Sequence, residues 1–583
     1  MTKHEYNFRY PIEYIEKKTE LKKDVMEDLE LIKFNNVEET KQGIIEHVIA
    51  PKTIFGKKCI ADICHYTTTD TKFLKETQNI LQKFPSIDQN VELHDKVANC
   101  WYSIINDENF ISKYKYVDMK YFDKLNNSSM FLQLLSIYNL SSPIMFFIVP
   151  IVMLLVPFFI LKYKQLDVSL NSYVSLLKKV LKNHTLGMLL NTNYKEINWG
   201  TAAYVVFSVG FYIFQMYQNV ISCVNYYKNM HKIHEDIFTI KEFLIETRNN
   251  IQKIEVLYGT QKTYNEFVIK MAQYKNDVNE FINELDMITP LKLTFSKGTQ
   301  LGYIMKKFHM FYSDGTVQQM IDYAFHINGY MDYMSRVKGL ITLKKLNKCT
   351  FGKITKMKKG YYAKLMDTKL IDAKLMSSKV VPNDIDFKKN MIITGPNAAG
   401  KTTLIKTAVI NIIFSQQIGY GFYKKATINP YDHIHSYLNI PDTSGRDSLF
   451  QAEARRCKEI IQEFNNNSSQ RHFCIFDELY SGTNPYEAVG SAYGFLKYIN
   501  KRSNINFMIT THYGNLCKLM DSEPNTVNKH MKIECLDNNY TFNYTYKLAS
   551  GISQVKGGFK VLKDLDYPEE LLDTIINISD KLI

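Results

Sequence analysis

The stretch MIITGPNAAGKTT, residues 391–403, constrains this chain more than any other part of it. It has the spacing GxxxxGK[ST], follows a short apolar run and opens a helical pattern over 403–414. Glycines at 395 and 400 let backbone N–H groups turn inward onto phosphate oxygens, and a helix start adds its dipole. The spacing therefore predicts a strand–loop–helix that grips a nucleoside triphosphate. Gly395, Pro396, Asn397, Ala398, Ala399, Gly400, Lys401, Thr402 and Thr403 are expected to surround the phosphates. Lys401 is expected to act catalytically by neutralising outer phosphate charge, and Thr402 to ligate Mg²⁺.

Two later strand ends complete a hydrolytic set. The run FCIFDE (473–478) is an apolar strand ending in a carboxylate pair. Asp477 is the expected metal ligand, and Glu478 the group that orients or deprotonates the attacking water. The strand 505–510 runs into Thr511 and His512, which puts an imidazole where it can sense the γ-phosphate. Apolar strands at 391–394, 473–476 and 505–510, separated by helical patterns, predict an α/β domain with a mostly parallel sheet and helices on both faces.

Composition bounds the rest. A chain of 583 residues is too long for one core. A formal net charge of +13 permits a polyanionic partner, nucleic acid or an anionic membrane face. Nine cysteines with no CxxC pair point to reduced thiols in a cytosolic compartment. Between 351 and 380 eight lysines stand against two aspartates, a solvated lead-in to the nucleotide loop. Met230, Ile233, Ile237, Ile240, Leu244, Thr247, Ile251 and Ile254 step by three and four, predicting one apolar stripe on a long helix.

Residues 143–161 and 199–224 are uncharged. At 1.5 Å per residue either could cross a bilayer, so a transmembrane hairpin is expected, with a pair of buried core helices as the alternative. The connection 162–198 holds six lysines, against the positive-inside tendency for a far-side loop. A shallow hairpin within one leaflet would remove that conflict.

The wording of the C-terminal motifs is specific. TGPNAAGKTT, SQQIG (415–419), FDELYSGTNP (476–485), TTHY (510–513), VPND (381–384) and YKLASGIS (546–553) together resemble the ATPase domain of the MutS family and of its membrane-associated relatives. The resemblance is dense over about 200 residues and thin elsewhere. It implies ATP and Mg²⁺ as cofactors, a P-loop NTPase fold of the ABC/MutS kind, and a homodimer through the ATPase domain. Duplex DNA is implied as a partner. It also implies that Ser448 approaches the γ-phosphate held by a second copy, although Ser448 would equally serve as a helix N-cap. Asn397 would help fix the nucleotide, and residues 481–483 would run along the dimer interface. The leucine-rich tail around Pro568 would help dimerise.

Departures from the family pattern are equally informative. Val380 or Val381 stands where the family has an aromatic base-stacking residue. The single Phe-x-Glu is Phe476-Asp477-Glu478, already committed to the nucleotide, so a mismatch-reading domain is expected to be missing. The expected division is a helical core (1–140), a transmembrane hairpin (141–225), a helical lever and clamp (226–350) and the ATPase domain with C-terminal dimerisation helices (351–583). The expected function is ATP-driven movement of helical arms on DNA without mismatch reading. The alternative is a membrane-anchored ATPase that remodels a protein or membrane partner. Membrane association through 143–161 and 199–224, with the ATPase facing the cytosol, is the expected location.

Overall fold

The structure is a computed structural model that describes residues 6–32, 42–87, 89–166, 168–180, 199–290, 298–366, 380–438, 440, 448–537, 541–555 and 558–579. Lys182 and Lys195 of the basic connection, residues 367–379 of the lysine-rich lead-in, and Gly445, Arg446 and Asp447 lie outside the described residues. Contacts gather the chain into two units whose limits cut across the expected segment boundaries. One comprises 1–6, 92–246 and 276–322, and the other 7–91, 247–275 and 323–583.

The first unit is helical. Its Ser129–Tyr163 helix runs unbroken through three prolines, and its partner is the long helix Trp199–Tyr258. The two run antiparallel, because Tyr226 donates to Ser136 Oγ at 2.6 Å while Tyr212 meets the Phe146 ring at 4.7 Å. The base of this hairpin is seated in protein: Leu132 and Ser136 are buried. A Cβ at Gly302 of the Leu301–Ser313 helix would come within 2.0 Å of the Ser129 carbonyl oxygen, so only glycine allows that approach. Among the described residues one stretch, Ser129–Val149, is long and apolar enough to cross a membrane, with mean hydropathy 1.6 and 11% of it buried. Beyond it most of the described side chains are exposed, Phe158 being a buried exception. The stripe predicted from Met230 to Ile254 does form, every member being buried, although the helix that carries it passes from the first unit into the second at Thr247.

Among the described residues, the strands all lie in the second unit. A two-stranded ribbon pairs β1 (Lys18–Glu20) with β2 (Tyr66–Thr68) antiparallel. After it come β3 (Asn347–Phe351), β4 (Lys356–Gly360), β5 (Asn383–Asp386), β6 (Asn390–Thr394), β7 (Tyr420–Gly421) and β8 (Lys425–Ile428). They are followed by β9 (His433–Tyr437), β10 (His472–Asp477), β11 (Ile505–Thr510), β12 (Thr526–Asp537) and β13 (Thr541–Ser550). The larger sheet has the order β13-β12-β6-β11-β10-β9, parallel from β12 to β9 with β13 antiparallel at one edge. A mixed five-stranded sheet has the order β5-β4-β8-β3-β7. Strands β6 and β11 are apolar on both faces, as a parallel sheet covered on both sides requires. Alternate residues Ile392, Cys474, Phe476, Phe507 and Ile509 join one core with the helices Leu449–Asn466, Pro485–Asn500 and Gly514–Asp521.

The helix Lys401–Ile418 covers the other face and is buried nearly all round, because it also meets β4, β7 and β2. Its glutamines answer the polar groups such burial strands. Gln416 exchanges hydrogen bonds with the Tyr431 backbone at 2.8 and 2.9 Å, and Gln417 donates to the carbonyls of Cys64 and Tyr66 at 3.1 and 3.2 Å. The SQQIG element thus wires the helix behind the glycine loop to the N-terminal ribbon.

A histidine group lies where β9 meets β10. His435 Nε2 stands 3.1 Å from His472 Nδ1, and His472 Nε2 lies 3.1 Å from the Asn467 carbonyl oxygen. That carbonyl needs a proton on His472 Nε2, leaving Nδ1 as acceptor and His435 as donor, so both rings are neutral. Burial first, then the neighbouring His472 ring and Lys22, holds the pKa of His435 well below its ordinary value; burial lowers that of His472. A folded pKa below the unfolded one means the unfolded chain binds more protons, so stability falls as pH drops below about 6.5. Thermal melts are expected to show a loss of roughly 3–6 °C between about pH 7.5 and 5.5. His435→Leu should flatten that slope.

Candidate functional site

The registers of the parallel strands set the site. Asp477 of β10 pairs with Thr510 of β11, and Thr510 pairs with Ile393 of β6, so three strands end level. Their carboxyl ends deliver the Gly395–Gly400 loop, Asp477 with Glu478, and His512 to one edge of the sheet, where ligands bind in open α/β sheets.

The loop needs its glycines. Gly395 has φ 151° and Gly400 φ 89°, and Ala398 is held at φ 61°. A Cβ on Gly400 would press the Tyr546 ring at 3.2 Å. Lys401 begins the helix and is buried; its ammonium donates to the carbonyl oxygens of Gly395 and Pro396 at 3.0 and 3.3 Å. Burial holds the Lys401 pKa below its ordinary value, against the pull of Glu478 and Asp477. Thr402 donates to Asp477 Oδ2 at 2.8 Å, and the Thr510 hydroxyl donates to the other carboxylate oxygen.

His512 joins the two halves. Its Nε2 lies 3.1 Å from Lys401 Nζ and 3.0 Å from Glu478 Oε1, a ring nitrogen between ammonium and carboxylate. The His512 hydrogen bond is the main cause that holds the Glu478 carboxyl below the usual carboxylate range; charge on His512 and Lys401 adds to it and burial opposes it. Glu478 also sits at φ 53°, a left-handed conformation costly to a residue with a Cβ, and its N–H is tied to the Thr510 carbonyl at 3.1 Å. The backbone is held there, and the carboxylate is ionised at neutral pH.

A cleft of about 640 Å³ opens over the loop. Asn397, Ala398, Gly400, Lys401, Thr402, Thr403 and Glu478 line one side of it. Tyr362 and Tyr546 line it together with Val380, Val381 and Met531. The tyrosines were missed as site residues: the Tyr361–Tyr362 pair and the YKL element were visible in the sequence, but only folding brings them to the loop. Asn383 carries β13 toward the cleft, its side chain bonding the Leu548 N–H at 2.8 Å and the Tyr546 carbonyl at 2.9 Å.

Ser448 is not among the residues lining this cleft. It caps the Leu449–Asn466 helix, accepting from Gln451 N at 3.3 Å while Gln451 Oε1 accepts from Ser448 N at 2.9 Å. The same helix grips the loop 481–483. Buried Glu453 accepts from Ser481 N (3.0 Å), Ser481 Oγ (2.9 Å) and Gly482 N (3.1 Å). The two elements expected at a dimer interface are therefore locked together within one chain.

Comparison with known proteins finds matches over the C-terminal third of the chain. The family described as MutS domain V matches residues 391–583. The chain is 28% identical over 207 residues to the DNA mismatch repair protein MutS of Oceanobacillus iheyensis, covering 35% of this chain and 23% of that protein. It is 28% identical over 196 residues to MutS of Persephonella marina, covering 33% and 22%. It is 31% identical over 212 residues to the DNA mismatch repair protein MSH3 of Scheffersomyces stipitis, covering 35% and 20%. The matched stretch spans less than a quarter of the length of these curated relatives. Residues 391–583 are thus a MutS domain V, and through this C-terminal third the chain is similar to the MutS family.

Proposed function

We propose that the chain is a P-loop ATPase that acts as a homodimer on duplex DNA, with residues 351–583 as the ATPase domain and 226–350 as its lever. The observation that carries the reading is the meeting of Lys401, Thr402, Asp477, Glu478 and His512 at one row of strand ends. No single one of these motifs has that force alone.

The residues fit the cofactors. A hydroxyl and a carboxylate 2.8 Å apart are hard oxygen donors of the kind Mg²⁺ prefers, and Thr402 and Asp477 would hold it. When bound, the metal supplies positive charge to the phosphate oxygens. The amides of the Gly395–Gly400 loop, with Asn397, cradle the phosphates, and Lys401 exchanges its carbonyl partners for phosphate oxygens. Glu478 accepts a hydrogen bond or proton from the attacking water, and His512 couples that carboxylate to the lysine. The adenine lies against Tyr362 and Tyr546, whose rings replace the aromatic residue missing at Val380 and Val381. Ser448 of a second copy completes each site.

Duplex DNA as the partner draws on what the named relatives do and on the formal net charge of +13. Purified protein is expected to hydrolyse ATP and to bind duplex DNA at about 50 mM salt. The logarithm of affinity should fall linearly with that of salt, by about 0.9 per phosphate contact. A mismatch should change affinity little. ATP hydrolysis without DNA binding at low salt would move the reading to an ATPase that remodels a protein or membrane partner.

A further inference from the structure

We propose that the tip of the Ser129–Tyr163 and Trp199–Tyr258 hairpin crosses a lipid bilayer and anchors the protein there. The inference rests on the first unit alone and stands or falls apart from the nucleotide reading.

The environment along the first helix changes abruptly. Leu132 and Ser136 are fully buried, yet Phe147, Ile148, Val149, Ile151 and Val152 are each 45–55% exposed. The exposure continues at Leu155, Val156, Phe159 and Ile160. At 100° per residue these positions sweep roughly 220° of the circumference. The remaining side faces the second helix, where Phe146 meets Tyr212. That helix is exposed in turn at Val206, Phe207, Phe211, Ile213 and Phe214. A protein partner covers one face of a hairpin. An apolar solvent covers all of it, and a helix lying flat in one leaflet would keep a polar face that these residues do not offer.

Length and ends agree with a bilayer. No charge occurs between Lys124 and Lys162 or between Glu196 and Lys228. The uncharged helical run from Ile144 to Leu161 is about 27 Å long, against a hydrocarbon core of about 30 Å. Tyr163 and Trp199 are the most exposed aromatics at the tip, at 88% and 90%, and Tyr138 and Tyr227 are exposed near the base. Aromatic rings at both limits of an apolar band mark the two headgroup levels. Beyond the tip, Lys162, Lys164, Lys178 and Lys179 supply charge for lipid phosphates. The Leu170–Val180 helix folds back there, its Tyr173 ring against Phe158 at 5.1 Å. Both chain ends leave the hairpin on the same side, opposite those lysines.

The full chain, reconstituted from mild detergent into phosphatidylcholine vesicles with or without phosphatidylserine, tests the proposal. The protein is expected to float with both kinds of vesicle and to stay bound through a high-salt wash. Trypsin added outside should leave one membrane-protected fragment bounded by Lys124 and Lys228. Phe147→Arg combined with Val152→Arg lies on the exposed surface and should cut the floated fraction by more than about tenfold. Unchanged nucleotide binding by that variant would show that it folds. Failure to float, release by salt, or cleavage between Lys162 and Lys179 that leaves no such fragment would overturn the proposal. So would concentration-dependent self-association that buries the hairpin in a protein oligomer that does not float.

Discussion

Replacing Glu478 with glutamine is expected to lower steady-state ATP hydrolysis by about 10²–10⁴-fold while leaving ATP affinity within a few-fold of the native value. Glutamine keeps the size of the side chain and the left-handed backbone position, but cannot take a proton from water. The structure adds a second consequence. Glu478 supports the charge of the buried Lys401 ammonium more than Asp477 does, and its own pKa is lowered mainly by the His512 hydrogen bond. For a carboxylate with a depressed folded pKa, the stabilising contribution is present above the unfolded value and lost as pH falls through the folded one. That contribution disappears in the variant at all pH values, so the acid limb of its stability profile should be shallower below about pH 4.5. Phosphate-release assays read the first effect, equilibrium binding of a fluorescent nucleotide the second requirement, and pH-dependent melts the third. Hydrolysis at the native rate would remove Glu478 from its role and leave the water to another group.

The chemistry of this chain was legible where a residue acts through its own strand or loop. Glycines 395 and 400, Lys401 and Thr402 share one loop, Asp477 and Glu478 share one strand end, and the parallel registers bring those two ends level. What pairing alone decides was not legible. The cleft tyrosines come from residues 362 and 546, one ahead of the loop and one on an edge strand, and no periodicity joins them. Glu453 reads in sequence as one carboxylate on an amphipathic helix; its three hydrogen bonds to Ser481 and Gly482 exist only after folding. The unit division was equally hidden, because a continuous helix such as Trp199–Tyr258 carries one hydrophobic stripe across a boundary set by long-range contacts. The Ser448 cap was legible as one of two readings, since a serine three residues ahead of a glutamine at a helix start is a capping box by spacing.

Lys401→Met should separate two effects that a single activity assay merges. In the native protein the ammonium donates to two carbonyls of its own loop, and burial lowers its pKa. A lysine whose folded pKa lies below the unfolded value opposes folding at neutral pH, because the unfolded chain holds that proton more tightly. Removing the charge is therefore expected to leave the nucleotide-free protein as stable as the native one or slightly more so, the usual exchange between activity and stability at a site. Binding goes the other way. Charge-assisted contacts to phosphate contribute roughly 1.5–3 kcal/mol each, and the lysine has at least one phosphate oxygen to hold, so ATP affinity should fall by about 10–10²-fold or more. Hydrolysis should be lost below detection. Native protein at about 100 times its dissociation constant gains near 2.7 kcal/mol from ligand, so ATP should raise its melting temperature by several degrees. The same ATP concentration should hardly move the variant. A variant that melts earlier than native without nucleotide would mean that Lys401 is a structural cation tying the loop together; one that keeps the full ATP-induced shift would place the phosphates elsewhere than over the Gly395–Gly400 loop.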